Sequence, residues 1–398
     1  MDEVRRQVFE GRIELPRIGE VRRTIDAARV PYSVLVSGYE VEPITTYLWS
    51  LALSDVSPLT VRSYAHDLLR WWTVLAVVSV EWDRASRTET ELMVGWLRTA
   101  VNPQRRRADL SAAQPGSVNL RTGKPVLAAG YAPSTINHAL TVVSCFYEFH
   151  LTYGRGPLVN PVPSLDRGRL LGHRSPVDPL PRFRRAPLRQ KTTQRAPRSI
   201  PDRLWTELFA TMTHDRDRAL LAFAVSSGAR ASELLGVLGE RVNWGAQQIW
   251  VVSKGSRELS AVPGSPEAFD YLARYFDRCG TPRPHEQIWR TLRGNRRPLT
   301  YSALRRIMQR SNEKLGTNWT FHDIRHTAAT RMANDPHLTL PEVQTVLRHR
   351  HLSATEIYLQ PRIEDMHDKL QEHFSKSRPE RTYTAGYRDE DVRAVFGG

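Results

Sequence analysis

The sequence predicts a mainly α-helical chain with one small β-hairpin sheet, arranged as a helical N-terminal domain and a mixed α/β C-terminal domain. Three observations carry this. Apolar residues recur at helical spacing through residues 46–153. A basic, proline-interrupted stretch follows over residues 167–199. From residue 200 to about 375, helical segments surround two short alternating runs that flank a turn.

Residues 1–45 are mixed in charge and weakly patterned, and read as an N-terminal extension, either a short arm or an added helix pair, without a convincing run of strands. The helical domain covers residues 46–166. Ser57-Pro58 opens a helix, since proline is pre-organised for the first helical position. Val61, Tyr64, Leu68, Trp71 and Trp72 then share a face. Glu89–Arg98 is a second helix, and the polar, Gly- and Pro-containing insert 102–130 reads as a loop. A third helix starts at Ala132-Pro133-Ser134 and aligns Ile136, Leu140, Val143, Phe146 and Phe149.

Residues 167–199 hold ten Arg and Lys, the single acid Asp178 and five prolines. Such a stretch cannot form a core, and proline keeps it extended. It reads as a linker suited to lie along phosphates. In the C-terminal domain, 200–375, helices are expected over 201–211, 215–227, 231–238, 266–279, 301–315, 320–334, 340–348 and 355–368. Residues 247–253 and 258–262 pair as a hairpin around Lys254-Gly255-Ser256-Arg257. The tail, 376–398, is polar, and its segment Val392-Arg393-Ala394-Val395-Phe396 near the end could dock on a surface.

Composition narrows the function. The chain has 398 residues, 57 Lys+Arg against 42 Asp+Glu, and a formal net charge of +15. A chain this basic points to nucleic acid or an anionic membrane surface. The N-terminus is charged and lacks the apolar core of a signal peptide, and apolar runs are about seven residues, far short of a membrane span. Cys145 and Cys279 make neither a disulfide framework nor a zinc site. A soluble, cytoplasmic protein without metal or cofactor is expected.

The residues that carry chemistry lie in the C-terminal domain. His322 and Arg325 stand three apart on a helix, an imidazole beside a permanently charged guanidinium, a pair suited to phosphate oxygens. Arg230 follows Gly228-Ala229 at a helix start, where the helix end adds affinity for anions. Glu233 reads as a helix-start carboxylate or an orienting partner for an Arg. Lys254 at the hairpin tip can reach out and offer a proton, with Arg257 as the competing reach. His349 precedes Tyr358 by nine residues, and a tyrosine at its ordinary pKa of about 10 needs help to act as a nucleophile. Each signal alone also fits ordinary surface or packing residues.

Their order is specific. Gly228-Ala229-Arg230-Ala231-Ser232-Glu233-Leu234, Lys254, His322-Asp323-Ile324-Arg325-His326, Leu347-Arg348-His349 and Tyr358 together resemble the tyrosine recombinase family, which includes phage integrases and chromosome-dimer and transposon recombinases. The resemblance covers 200–375 closely and 46–153 loosely. It implies a helical, SAM-like core DNA-binding domain beside an α/β tyrosine recombinase catalytic domain. It implies Tyr358 as the nucleophile forming a 3′-phosphotyrosyl link, and Arg230 and Arg325 as clamps on the phosphate. Lys254 would protonate the leaving 5′-oxygen, His322 would serve as base or hydrogen-bond partner of the phenol, and His349 would donate to the phosphate. His326 would brace its helix and His351 would be surface. The implied partners are double-stranded DNA at specific sites and a DNA-bound tetramer, of identical or related recombinases, with neither ATP nor metal. The chain departs from the pattern at Arg348, where the family has glycine; that residue would alter the turn or add a phosphate contact. Two alternatives share the fold: a type IB topoisomerase-like nicking and closing enzyme, and a catalytically silent DNA-binding accessory protein.

Overall fold

A computed structural model of the chain describes residues 2–24, 30–103, 114–164, 186–192, 197–253, 257–358, 367–375 and 388–396. It divides into two compact units, Met1–Gln194 and Arg195–Gly398.

The first unit begins with helix α1 (Glu3–Phe9), capped by the Asp2 carboxylate on the Arg5 amide. Strands β1 (Gly19–Arg23), β2 (Tyr32–Val36) and β3 (Tyr39–Glu40) form an antiparallel sheet in that order, in register from Gly19 opposite Val36 to Arg23 opposite Tyr32. The expectation of an arm or helix pair over residues 1–45 is corrected here: the segment is one helix and a three-stranded sheet. The physical reason is visible in β2, whose Ser33, Val34 and Leu35 are all buried. A strand covered on both faces shows no alternation to read.

Helices α2 (Glu42–Leu53), α3 (Pro58–Val77), α4 (Arg87–Thr99) and α5 (Pro133–Thr152) complete this unit. Proline stands at the start of α2, α3 and α5. A capping box starts α4: the Glu89 carboxylate accepts from the Ser86 amide at 2.9 Å, and the Ser86 hydroxyl accepts from the Thr88 amide. Val61, Leu68, Trp71, Ile136, Leu140, Val143 and Phe146 are buried in one core with Val8 and Val34, so the sheet and helices fold together. Of the basic linker, residues 186–192 and 197–199 are described, and the first of these pieces docks on α5. Asn137 bonds both backbone groups of Gln190, Arg189 donates to the Thr141 hydroxyl, and Leu188 packs on the core. This piece is packed on its own unit, where Asn137 satisfies its backbone.

The second unit contains α6 (Asp202–Ala210), α7 (Asp215–Ser227), α8 (Ala231–Leu235), a sheet of β4 (Val242–Asn243), β5 (Gln248–Val252) and β6 (Leu259–Pro263), then α9 (Pro266–Cys279), α10 (Tyr301–Leu315), α11 (Phe321–Ala333), α12 (Leu340–Leu347), α13 (Ser353–Glu356), α14 (His367–Ser375) and α15 (Asp389–Phe396). The hairpin is antiparallel, with Val252 opposite Leu259, and β4 adds a third strand through Val242 opposite Ile249. Helix α7 runs through the core, with Leu220, Leu221, Phe223 and Ala224 buried against Phe269, Trp289 and Ile324.

Two helices differ from expectation. The one expected over 231–238 ends at Leu235, because the chain turns at Gly236 and Val237 accepts the Ile288 amide across a new strand-like contact. The one expected over 355–368 is replaced by the short α13, a turn through Tyr358, and α14, with residues 359–366 outside the described set. The polar tail carries a helix, α15. Among the described residues no helix is long and apolar enough to cross a membrane.

Candidate active site

The site is built where the ends of α7, α11, α12 and α13 meet. Gly228 ends α7 in the left-handed conformation, at φ 60°. A Cβ there would lie 2.5 Å from Leu347 Cδ2, so glycine is required both by the backbone and by its neighbour. Arg325 is the fifth residue of α11, whose start is fixed by a Thr320/Asp323 capping box. It is 3% exposed. One terminal nitrogen donates to the Gly228 carbonyl and the other to the Leu347 carbonyl at 2.6 Å. A single guanidinium thus binds the segment leading to Arg230 to the segment leading to His349.

Arg230 caps α8. Its amide and one guanidinium nitrogen both donate to Glu233, at 2.9 and 2.8 Å. Its side chain remains 34% exposed. Glu233 is therefore a helix-start carboxylate and an orienting partner at once. Its second oxygen also accepts from Arg348 at 2.8 Å. Burial alone would raise this carboxyl, but the charge of Arg348 and the bonds from Arg230 hold it below the usual range.

Tyr358 is 7% exposed and packs with Ala329, Val343 and Leu347. Its hydroxyl lies 2.8 Å from His326 Nδ1. His322, which the resemblance gives as the phenol's partner, is exposed; its ring stands 4.3 Å from that of His326, centroid to centroid. The structure thus puts His326 between His322 and the phenol, and the brace reading of His326 is corrected. On a helix, Arg325 and its next neighbour His326 point in different directions, and the turn after α13 supplies the phenol on the His326 side. The sequence signal was the fifth residue of the His322–His326 motif itself.

His349 lies parallel to Tyr358, with centroids 6.2 Å apart and planes at 8°. Its Nδ1 is 2.8 Å from the buried Thr355 hydroxyl. Burial first, then the charges of Arg325, Arg230 and Arg348, push His349 down to about 4, so the ring is neutral at pH 7. Burial and Arg230 lower Arg325 to about 10, which leaves it charged. Burial raises the Tyr358 phenol, and Arg325 and Arg230 oppose that rise.

Lys254 lies outside the described residues. Around it, Ser253 donates its amide to the Glu258 carbonyl at 2.8 Å and closes the hairpin. Arg348 ends α12 at φ 54°, ψ 46°, the left-handed geometry that glycine adopts most easily. Its turn is the one glycine would make; its guanidinium goes to Glu233 instead of to an open phosphate position. His351 is exposed. Among the described residues no group of three or more His, Cys, Asp or Glu is placed to hold a metal ion.

Residues 202–364 match the model of the phage integrase family. The tyrosine recombinase XerD of Pseudomonas aeruginosa is 34% identical over 162 residues, 38% of this chain and 53% of that protein. The tyrosine recombinase XerC of Actinobacillus pleuropneumoniae is 30% identical over 176 residues, 42% of this chain and 56% of that protein. The chain spans about half the length of these curated relatives. Among solved structures, a lambda integrase dimer bound to a core site matches with TM-score 0.52 at 14% identity, over 86% of this chain and 80% of that one. The Tn1549 transposon integrase in complex with circular intermediate DNA matches with TM-score 0.52 at 12% identity, over 82% and 98%. At those identities the two structures speak for the fold. The site's motifs, from Gly228 to Tyr358, all lie inside the residues that match the phage integrase family model, so the C-terminal unit is similar to that family and to the tyrosine recombinases.

Proposed function

We propose that this protein is a site-specific DNA recombinase that breaks and rejoins strands through a 3′-phosphotyrosyl intermediate. The observation that carries the reading is the Tyr358 hydroxyl held 2.8 Å from an imidazole nitrogen, in a pocket whose charges are the guanidiniums of Arg325 and Arg230. A phenol beside a base and a phosphate-sized cationic site are the parts that transesterification needs.

In this reading Tyr358 Oη attacks the scissile phosphorus while its proton passes to His326 Nδ1. Arg230 and Arg325 stabilise the charge on the non-bridging oxygens, which grows in the pentavalent state. The bond to the 5′-oxygen breaks, and Lys254 supplies the proton to that leaving group, a role that rests on the family resemblance. His349 is neutral. With Thr355 donating to its Nδ1, its one proton sits on Nε2 and is available to a phosphate oxygen. A 5′-hydroxyl from a second duplex then attacks the phosphotyrosine and restores a phosphodiester. The bond energy is conserved, so the steps call for neither ATP nor metal. Exchange between duplexes calls for four subunits on DNA, and action on DNA is in keeping with work in the bacterial cytoplasm. Lambda and Tn1549 integrases, seen bound to DNA, have this fold and support the reading.

The test is a set of nicked duplexes tiled across the DNA flanking the protein's own gene, incubated without metal. Wild type is expected to give an SDS-stable protein–DNA band that is lost in Tyr358→Phe. Tight binding without any adduct would favour the silent accessory protein. Adducts that only relax supercoils, with no recombinant product, would favour the topoisomerase-like enzyme.

A further inference from the structure

The departure at Arg348 has a structural purpose that the phosphate-clamping pair does not cover. Arg348 is a non-glycine residue in the left-handed region, at φ 54°. Glycine would adopt that backbone with less strain. The side chain that replaces it is not a solvated surface cation. It is 9% exposed and meets Glu233, which is 1% exposed, at 2.8 Å. Its Nη1 donates to the Val346 carbonyl at 2.7 Å. Its Nε is enclosed with no hydrogen-bond partner among the described residues. A strained backbone and an enclosed donor are costs, and the chain sustains both for one contact across 115 positions.

That contact joins the two turns that build the site. One oxygen of Glu233 accepts from the Arg230 side chain; the other accepts from the Arg230 amide and from Arg348. Arg348 immediately precedes His349 and follows Leu347, whose carbonyl is a ligand of Arg325. Two guanidiniums therefore share one carboxylate. If Arg348 were absent, Glu233 could take Arg230 with both oxygens, the fork geometry that guanidinium favours. Arg230 would then be drawn away from the exposed position that it holds.

We propose that Arg348 is a positioning residue for strand cleavage: through Glu233 it locks the His349 turn to the Arg230 turn and leaves the Arg230 guanidinium available to the scissile phosphate. This rests on the recombinase reading above. Removing one partner of a buried pair leaves the other charge uncompensated, so Glu233 enters every test.

The experiment uses the full chain with Arg348→Gly, Arg348→Met, Arg348→Lys, Glu233→Gln and the double variant Arg348→Met/Glu233→Gln. Single-turnover adduct formation is followed at saturating nicked duplex, and DNA affinity by anisotropy. Arg348→Gly is expected to slow adduct formation by about 10- to 100-fold, the scale of a small misplacement of reacting groups. Its DNA Kd should stay within about threefold, since an enclosed guanidinium adds no phosphate contact. Arg348→Lys should recover part of the rate, and the double variant should be no slower than the slower single variant. A second readout needs no catalysis. In isotope-labelled protein, His349 should titrate at a higher pH in Arg348→Gly than in wild type, because one of its neighbouring cations is gone. Wild-type adduct rates in both Arg348→Gly and Arg348→Met would overturn the proposal. If wild type itself forms no adduct, the recombinase reading fails. The link between the two turns is then judged on the His349 titration alone, and an unmoved His349 overturns it as well.

Discussion

Arg325 illustrates how much one buried side chain can organise. Its terminal nitrogens hold the Gly228 and Leu347 carbonyls, which lie 97 residues to one side and 22 to the other. The cost of enclosing a guanidinium is visible in its pKa, lowered to about 10, and it is offset by these charge-assisted bonds. The arrangement depends on Gly228, where a side chain would meet both an unfavourable φ and Leu347. Gly228→Ala is expected to destabilise the C-terminal unit by about 1–2 kcal/mol from the left-handed backbone alone, read from urea unfolding. Adduct formation should fall by more than DNA affinity, since the displaced Leu347 carries a ligand of Arg325. An alanine variant with wild-type stability would mean that neither the left-handed backbone nor the Leu347 contact costs anything at this position, and the account of Gly228 would be wrong.

At the scale of elements, the first unit is held by helices whose apolar faces meet around aromatic rings. Trp71, wholly buried on α3, donates from Nε1 to the Tyr147 hydroxyl on α5 at 3.0 Å, and that hydroxyl donates to the Trp82 carbonyl at 2.8 Å. Both bonds are lost in Tyr147→Phe, and a buried indole donor and a carbonyl lose their partner. The expected loss is about 1–3 kcal/mol, measured by denaturant unfolding with tryptophan fluorescence; a loss below that range would mean that water replaces the hydroxyl. The same helices were legible in the sequence because Val61, Leu68 and Trp71, or Ile136, Leu140 and Val143, recur with the helical period and stand behind prolines suited to a first turn. The β1–β3 sheet was not, since its central strand buries three consecutive residues and its edge strand β3 has only two.

For the whole molecule, the formal charge of +15 is the property most directly tied to DNA. Affinity dominated by phosphate contacts falls steeply with salt as counterions are released. For roughly six to ten contacts the loss is about 10³- to 10⁵-fold between 50 and 200 mM salt. A titration of a fluorescent duplex with Tyr358→Phe, expected to bind without cleaving, checks this. A flat salt response would remove phosphate contacts as the basis of binding. Not every cation in the basic stretch contributes equally: Arg189 is engaged with Thr141 on its own unit, so its removal should alter stability more than the salt slope.

The sequence by itself determined the helices, the hairpin and the order of the chemistry-bearing residues from Arg230 to Tyr358. Those properties are written in local periodicity, capping residues and short motifs, which act over a turn or two of chain. The tertiary structure alone decided which histidine reaches the phenol, since His322 and His326 sit on one helix and only the placement of the turn after α13, which carries Tyr358 32 residues beyond His326, selects between them. It also decided what Arg348 does. A side chain in place of glycine reads locally as a disturbed turn, whereas its partner Glu233 is 115 residues away, and such a pair exists only once both turns have been brought together around Arg325.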